Sequence, residues 1–374
     1  MGLNSPNGLL HCNAFVSKLL NNLNKRKDKM ATKLKKAGKI SVNDLLPGDI
    51  LAFKGDPNDD ISKLIMKFTG SDVSHGAIFV QNLDNVLAEA GGDGIHARRM
   101  KDNTDSREAY VMRHNKAGKN GVEPVVPIAK DYVLQDLPYP YSDLILLGLI
   151  LIFKHKVTRP LMSRVVVEFL CLVAAELKKI IEDKNTPGKH TMVCSSYVYQ
   201  CYLDASKKNP ALKLKIKDGD VGFKEHALLG RKSKSFTLFD MYADYVASHE
   251  EECKKNFKAK KLQTATKLRS QKEILADLEK LLSKKSADKV PAMNADEFSV
   301  VLDIVNAIKD VIQALVTFLK GDRVSFSEMM KIAREQQSMF ITPNDLVNNV
   351  TNAKCVGMLK AERYGDKYDD NWKK

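Results

Sequence analysis

The sequence Val193-Cys194-Ser195-Ser196-Tyr197-Val198-Tyr199 follows the helix-breaking pair Pro187-Gly188. Its pattern after the break predicts a new helix that begins close to Cys194. The first turn of a helix has unpaired backbone N–H groups and the positive end of the helix dipole, and both favour a thiolate. A cysteine in an apolar helix is by default a small core residue. Because Cys194 lies at the start of the helix, we interpret it as a nucleophile.

A second stretch, Ser74-His75-Gly76-Ala77-Ile78-Phe79-Val80, is followed by turn residues and by Val86-Leu87-Ala88-Glu89-Ala90. Two apolar runs around a polar turn predict a β-hairpin. If the hairpin turns at residue 82 or 83, His75 faces positions 89 to 91, so Glu89 lies opposite it or one diagonal step away. Glu89 is then placed to hold the imidazole ring by its second nitrogen. His96 and Asp93 are alternatives for this role, and Glu89 is otherwise a surface strand residue.

Nucleophilic cysteine catalysis needs a thiol with a lowered pKa, a histidine within hydrogen-bonding reach and a third group that orients the histidine. Cys194, His75 and Glu89 fit these three roles. Cys201 lies on the same helix face as Cys194, about 10 Å further along the axis, and we interpret it as a core residue. The sequence Gly91-Gly92-Asp93-Gly94 lacks the Lys-Ser/Thr ending and the following helix of a phosphate loop, so it predicts a turn.

The chemically informative motifs also occur in a characteristic order. Along the chain they are Leu46-Pro47-Gly48-Asp49-Ile50, Ser74-His75-Gly76-Ala77-Ile78, Ala88-Glu89-Ala90, Pro138-Tyr139-Pro140-Tyr141-Ser142-Asp143 and Val193-Cys194-Ser195-Ser196-Tyr197-Val198-Tyr199. In this order they resemble the circularly permuted papain-fold cysteine hydrolases, above all the YiiX-like branch of the NlpC-related amidases, and are distantly similar to lecithin:retinol acyltransferase. In that family the histidine strand precedes the cysteine helix. The resemblance implies Cys194 as the nucleophile, His75 as the general base and acid, and Glu89 as the orienting residue.

The resemblance covers about residues 42 to 205, with Thr342-Pro343-Asn344-Asp345 as a candidate for the family's closing segment. Two features of this chain depart from the family pattern. Ser196 stands where the usual helix motif has a glutamate, so any role of that carboxylate is absent. About fifty residues separate Tyr141 from Cys194, and this added segment is apolar, which puts the family's substrate class in doubt more than its mechanism.

We therefore expect an α+β protein with a permuted papain-like core, an antiparallel sheet, a cysteine-bearing helix and a large helical addition. The closing segment has a threonine cap, a proline at the first helical position and an acid at the third, which is typical of a helix start. The expected divisions are a basic helical arm in 1–41, the catalytic core in 42–247 with an apolar helical insertion in 142–180, a helical insertion in 248–340, and a closing helix with a charged tail in 341–374.

The composition excludes several classes of protein. The chain has 374 residues, 44% of them apolar and 28% charged, unlike a wholly disordered chain, a collagen or a polytopic membrane protein. Six cysteines without CxxC spacing predict neither a disulfide scaffold nor a zinc site, and we expect no metal and no organic cofactor. The N-terminus lacks the pattern of a secretory signal. We therefore expect a cytoplasmic protein, or one that is membrane-associated or delivered into another cell.

The charge predicts an attraction to polyanions, because 60 basic residues against 46 acidic residues give a net charge of +14. Eight basic residues lie between Lys25 and Lys39, in a segment that is either a solvated arm or a helix on an anionic membrane surface. The helices expected in 248–338 are a candidate surface for a protein partner. No basic motif interleaved with aromatic residues supports sequence-specific nucleic-acid binding.

The function that we expect is a thiol hydrolase or acyltransferase that cleaves an amide, peptide or lipid ester bond through a thioester. The alternative is a basic membrane-surface or partner-binding protein that uses a papain-like scaffold. The apolar segment from Leu144 to Ala175 either lines the substrate site or packs as plain core. Its longest apolar run is about ten residues, half the length that a helix needs to cross a bilayer.

Overall fold

The structure is a computed structural model that describes residues 37–91, 94–135, 143–157, 159–182, 194–217, 237–257, 269–283, 295–321 and 324–364. Most of the basic arm, Asp93 and the tail from residue 365 therefore lie outside the described residues. The described residues form a mixed α+β fold, as the sequence predicts.

Most of the strands come first along the chain, the majority of the helices follow them, and a last strand ends the described residues. The strands are β1 (Lys39–Ile40), β2 (Ile50–Lys54), β3 (Val73–Gln81), β4 (Val86–Gly91), β5 (Gly94–Asp102), β6 (Glu108–His114) and β7 (Ala353–Tyr364). The α-helices are α1 (Asp60–Thr69), α2 (Val125–Leu134), α3 (Asp143–Phe153), α4 (Arg164–Glu182), α5 (Cys194–Lys208), α6 (Leu238–Ser248), α7 (Glu250–Phe257), α8 (Gln271–Ser283), α9 (Ala295–Lys320) and α10 (Phe326–Met339).

The strands form a sheet that closes on itself. Its order is β1-β7-β5-β4-β3-β2-β6, and β7 also pairs with β6. The long strand β7 makes both closures: its first part pairs with β6 and its last four residues, from Ala361 to Tyr364, pair with β5. Every pairing is antiparallel except that of β1 with β7. Strands β2 to β7 therefore make a barrel without an open edge between them.

Side chains alternate between the inside and the outside of this barrel. On β2, Leu51 and Phe53 belong to the apolar cluster that fills the barrel interior, while Ile50 and Ala52 belong to a second cluster. The second cluster includes residues of α2 and α5, so these helices cover the outer face of the barrel. The alternation of side chains along each strand thus separates two cores.

The remaining helices build a third, purely helical core. Every residue of α3 from Leu144 to Phe153 is buried, and the ring of Phe153 packs edge-on against Phe239 of α6 at 5.4 Å between centroids. Helices α3 and α4 confirm the helical pair that the apolar insertion predicts. Across the described ranges, no helix combines the length and the apolar character that a membrane crossing requires.

The structure corrects the sequence analysis at the C-terminal end. Thr342 and Asp345 do form the predicted cap, with Asp345 Oδ2 accepting from Thr342 N at 2.8 Å. However, only a five-residue π-helical turn, Asp345–Asn349, follows, and the chain then enters β7 instead of a closing helix. Residues 361–364, assigned to the charged tail, belong to that strand. The stability of β7 comes from pairing with strands far away in sequence, which a local pattern does not reveal.

Candidate active site

One end of the barrel interior is charged. Residues that face each other across a strand pair lie on the same side of the sheet, and Leu87 of the barrel interior pairs with Arg98 while Met100 pairs with Arg363. By the same register, Glu89 pairs with His96 and with Ala77. The polar side chains that share the interior face at this end, which we call the charged end of the barrel, are His75, Glu89, His96, Arg98 and Arg363.

Cys194 is the first residue of α5 and lies against this end. Gly76 of β3 faces the start of this helix and the Asp345–Asn349 turn: a Cβ atom there would lie 2.8 Å from Leu346 Cδ1 and at an ordinary contact distance of 3.6 Å from Ser195 Cα. Ser195 Oγ donates to the carbonyl of Ile341 at 2.5 Å, and Tyr202 Oη donates to the carbonyl of Gly48 at 2.6 Å. These contacts fix the position of the cysteine relative to β3.

Cys194 is buried, with 3% of the residue exposed. Burial on its own raises the pKa of this thiol. The positive charge and the hydrogen bond of His75, together with the backbone N–H groups of Gly76 and Ser195, oppose burial and lower the pKa of Cys194 below its ordinary value. The residue therefore has the environment of a thiolate, as its place at a helix N-terminus predicts.

His75 connects the thiol to a carboxylate. Its Nε2 atom lies 2.8 Å from Glu89 Oε2, which leaves Nδ1 as the ring nitrogen for Cys194. Burial lowers the pKa of His75, but the charge on Cys194 and the hydrogen bonds to Cys194 and Glu89 raise it to about 9. Because the pairing of Ala77 with Glu89 puts the carboxylate one diagonal step from His75, the predicted hairpin register is confirmed.

Glu89 is a buried carboxylate, 2% exposed, that contacts four basic side chains. Besides His75, Oε2 accepts from Arg363 Nη1 at 2.5 Å, while Oε1 lies 3.2 Å from His96 Nε2 and 3.3 Å from Arg98 Nε. Burial alone would raise the pKa of Glu89, but hydrogen bonds from His75 and His96 and the charge of Arg363 hold it well below its usual range. The carboxylate is therefore ionised and held rigidly beside the imidazole.

The three candidate residues share one cavity of about 370 Å³, near the lower end of the range of about 300 to 1,000 Å³ for small-molecule sites. Its wall comes from the charged end of the barrel, from α1 and from the first turns of α3 and α5. The lining residues are Asp59, Ile61, Ser62, Ile65, Ser74, His75, Glu89, Ala90, Gly91, His96, Arg98, Arg107, Asp143, Leu146, Cys194 and Arg363. Most of this wall is polar.

The apolar insertion contributes little to the cavity. Within α3 only Asp143 and Leu146 reach the wall. Leu149 and Ile152 lie in the helical core and are 2% and 0% exposed. The structure therefore supports plain core packing for most of this segment and a lining role for its first turn alone.

The other sequence candidates take different places. His96 contacts the second oxygen of Glu89, and Asp93 lies outside the described residues. Gly91 pairs with Gly94 at the end of β4 and β5, and the two residues between them, where a turn is predicted, lie outside the described residues. Cys201 is fully buried, and burial raises the pKa of its thiol well above the ordinary value, which fits a core residue.

Sequence reasoning missed the arginines of the site. Arg98 lies on β5, which was not predicted, and Arg363 lies in the stretch assigned to the charged tail. Arg107 immediately precedes β6 and is two residues from Ala109 of the barrel interior. Alternation along β5 and β6 is the signal that places Arg98 and Arg107 on the interior face, once the strands are known.

No protein-family model matches the chain, and no curated protein sequence matches it at a significant level. Among the residues that the structure describes, no three His, Cys, Asp or Glu side chains are grouped so that they would hold a metal ion. The chemistry that the site can perform therefore follows from its own side chains.

Proposed function

We propose that the protein is a cysteine-dependent hydrolase or acyltransferase that cleaves an amide, peptide or ester bond through a thioester intermediate. The observation that carries this proposal is the position of His75, between the thiol of Cys194 and the ionised carboxylate of Glu89, on the wall of a cavity. A buried histidine with a raised pKa beside a thiol with a lowered pKa is the arrangement that nucleophilic thiol catalysis requires.

In the first half-reaction, the Cys194 thiolate attacks the carbonyl carbon and forms the C–S bond. The negative charge that develops on the carbonyl oxygen lies near the N-terminus of α5, where backbone N–H groups favour an anion. The protonated His75 then gives its proton to the leaving amine or alcohol as the C–N or C–O bond breaks.

In the second half-reaction, His75 is neutral and accepts a proton from the water or the acceptor amine that attacks the thioester. The C–S bond breaks, the acyl group leaves on the attacking atom, and the thiolate returns to its pairing with protonated His75. Glu89 does not exchange a proton in this scheme. It holds the ring and stabilises the imidazolium through its contact with Nε2.

We also propose that the fold is the permuted papain-like fold. The element order supports this assignment, since the histidine strand β3 precedes the cysteine helix α5 and the helix packs against an antiparallel barrel. The segment from Ile341 to Val350, which contains the candidate closing segment, packs at the start of α5.

The lining of the cavity favours a polar substrate. Its apolar side chains are Ile61, Ile65, Ala90 and Leu146, and the rest of the wall is polar apart from Gly91. A long acyl chain would need a continuous apolar channel, whereas Leu149 and Ile152 are packed inside the helical core. We therefore favour an amide or peptide bond over a long-chain lipid ester.

Mass spectrometry of the intact protein tests this function. The protein is incubated with activated esters and peptide amides and then quenched in acid, so that a thioester is preserved. We expect an acyl adduct on Cys194 in the wild type and none in the Cys194→Ala variant, with Cys201→Ala as the matched control that keeps the adduct. An adduct on another cysteine, or equal labelling of both variants, would disprove the proposed role of Cys194.

A further inference from the structure

Three arginines line the cavity beside Cys194, and they differ in how their charges are balanced. Arg363 donates to Glu89 and lies over the ring of Phe53 at 4.8 Å, and Arg98 contacts the other oxygen of Glu89. Within the described ranges, Arg107 makes no ion pair with a carboxylate. One lining guanidinium is thus not neutralised by direct contact.

Hydrogen bonds hold Arg107 in place by one edge only. Its Nε atom donates to the carbonyl of Lys54 at 2.8 Å, and Nη2 donates to the same carbonyl and to Ser74 Oγ at 2.9 Å. A guanidinium has five N–H donors in a fixed fork. In the part of the chain that the structure describes, no acceptor bonds to Nη1, so its two N–H groups remain for a ligand.

Two buried hydroxyl groups lie next to this guanidinium. Ser74 Oγ and Ser62 Oγ are 3.2 Å apart, and both residues line the cavity. The side chain of Ser62 also hydrogen-bonds Asp59, so both hydroxyl protons are engaged within the wall. The two N–H groups of Arg107 Nη1, beside Ser74 and Ser62, are therefore the donors that this part of the cavity wall offers.

The electrostatic setting also favours an anion. Burial and the charge of Arg363 together lower the pKa of Arg107, so a negative charge beside it would stabilise the guanidinium. The nearby carboxylates oppose this effect but are already bonded: Asp59 Oδ2 accepts from Ser62 N and Asp56 Oδ1 accepts from Asn58 N, both at 2.8 Å. A bound anion would supply the missing contact.

We infer that Arg107, held by Ser74 and adjacent to Ser62, is the anchor of a subsite for a carboxylate of the substrate, close to the bond that Cys194 attacks. The inference rests on the proposed function and narrows its substrate class to acidic amides or peptides. A singly charged carboxylate suits the site better than a phosphate dianion, because Asp59 and Asp143 line the same cavity and repel a second negative charge.

Charged alkylating agents test the subsite without knowledge of the natural substrate. We propose N-iodoacetyl glycine, N-iodoacetyl β-alanine and N-iodoacetyl γ-aminobutyrate, each paired with its neutral amide. In each reaction the thiolate displaces iodide and forms a C–S bond, and peptide mapping measures the rate constant at Cys194. In the wild type we expect the acid to react about tenfold faster than its amide at one chain length.

Variants of Arg107 test whether this residue causes the preference for the acid over the amide. In Arg107→Gln we expect the acid-to-amide ratio to fall to about two or less, and in Arg107→Lys to keep an intermediate value, since a point charge replaces the fork. Lys101→Gln, which removes an exposed charge of β5, should keep the wild-type ratio. Thermal melting verifies that each variant is folded.

The outcomes separate this inference from the function on which it rests. Fast alkylation of Cys194 by the neutral amides, without preference for any acid, would overturn the carboxylate subsite and leave the nucleophile in place. A preference for N-iodoacetyl aminomethylphosphonate over every carboxylate would also overturn it, in favour of a phosphate-bearing substrate. If Cys194 reacts no faster than the other cysteines with all reagents, both the function and the subsite are wrong.

Discussion

Cys194 and Cys201 both lie on α5 and are both buried, yet the pKa values of their thiols are shifted in opposite directions. Cys194 and Cys201 are 3% and 0% exposed. The pKa of Cys194 is lowered, because His75 and the backbone N–H groups of Gly76 and Ser195 outweigh its burial. The pKa of Cys201 is raised well above the ordinary value, because burial is opposed only by weaker hydrogen bonds.

The comparison shows that burial does not decide which cysteine is reactive. A thiol becomes a nucleophile where a cation and free backbone N–H groups replace the water that it has lost. The same helix supplies both environments within seven residues, so Cys201 is a natural control for every experiment on Cys194. Variants that remove the thiol, the carboxylate, the glycine contact and a core side chain should have progressively smaller effects on activity.

Removal of each thiol in turn should give the largest difference in activity between the Cys194 and Cys201 variants. We expect Cys194→Ala to lower kcat/KM by at least about 10³-fold, because the covalent step is lost, and Cys201→Ala to change it by less than about twofold. His75→Ala should cost nearly as much as Cys194→Ala. Steady-state kinetics on a common substrate measure all three effects.

The double variant Cys194→Ala with His75→Ala provides the check on this prediction. Because the two residues act in the same step, the double variant should be no more than a few-fold worse than either single variant. A loss equal to the product of the two single losses would mean that thiol and imidazole act independently.

Loss of the carboxylate that holds His75 should have the next largest effect. In Glu89→Gln we expect kcat/KM to fall by about 10- to 100-fold. The charge and hydrogen bond of Cys194, together with those of Glu89, raise the pKa of His75 to about 9, so loss of the Glu89 contribution lowers it. The alkaline limb of the pH–rate profile, which reports loss of the His75 proton, should therefore move to lower pH.

Glu362→Gln is the matched control for this change, because Glu362 lies on the same sheet but bonds to Asn103 and Lys101. Its pH–rate profile should match that of the wild type. An alkaline limb that stays in place in Glu89→Gln would show that Glu89 does not set the proton affinity of His75.

An added methyl group at Gly76 should displace Leu346, which packs beside the start of α5. In Gly76→Ala the new Cβ meets Leu346 Cδ1 at 2.8 Å, and we expect a loss of stability of about 1 kcal/mol with a several-fold loss of thiol reactivity, because the displaced side chain lies next to the turn that holds Ser195. In Gly148→Ala the new Cβ meets the methyl groups of Val173 at 2.7 Å, inside the helical core. This variant should lose similar stability and keep its thiol reactivity.

Melting temperature and the alkylation rate of Cys194 measure these two variants side by side. Equal loss of reactivity in both would indicate a general effect of destabilisation. It would remove the argument that Gly76 positions the cysteine against the histidine.

The smallest effect on activity should come from the helical core. Leu149 is 2% exposed and lies away from the cavity wall, so Leu149→Ala should cost about 2 to 5 kcal/mol of stability. At a temperature where the variant is folded, kcat/KM and the preference for acyl-chain length should equal those of the wild type. A changed chain-length preference would place the apolar insertion at the substrate after all.

The chemistry of the site was more predictable than its architecture. A strand with alternating side chains and one tight turn suffices to bring Glu89 within reach of His75, and a helix start suffices to mark Cys194. Both signals are local in sequence. By contrast, Arg363 reaches Glu89 from 274 residues away, through the closure of the barrel by β7.

Strand β7 also explains why the closing helix was wrongly expected. The cap at Thr342 and Asp345 is a correct local signal, and its hydrogen bonds are formed. After one turn, however, pairing with β5 and β6 closes the barrel and buries Leu359 and Ala361 in its interior. Whether the local signal or the distant strand partner prevails depends on the tertiary fold. A local sequence pattern does not show which strand the segment will pair with.

The central claim, that His75 and the start of α5 make Cys194 a thiolate, is tested most directly by the pH dependence of alkylation. Wild-type protein is treated with iodoacetamide from pH 5 to 10, and mass spectrometry follows each cysteine separately. We predict that the rate at Cys194 reaches its plateau well below the ordinary thiol pKa of about 8.5, while Cys201 stays unreactive across the range. A rate at Cys194 that rises with a midpoint near or above 8.5, in parallel with the other cysteines, would contradict the claim.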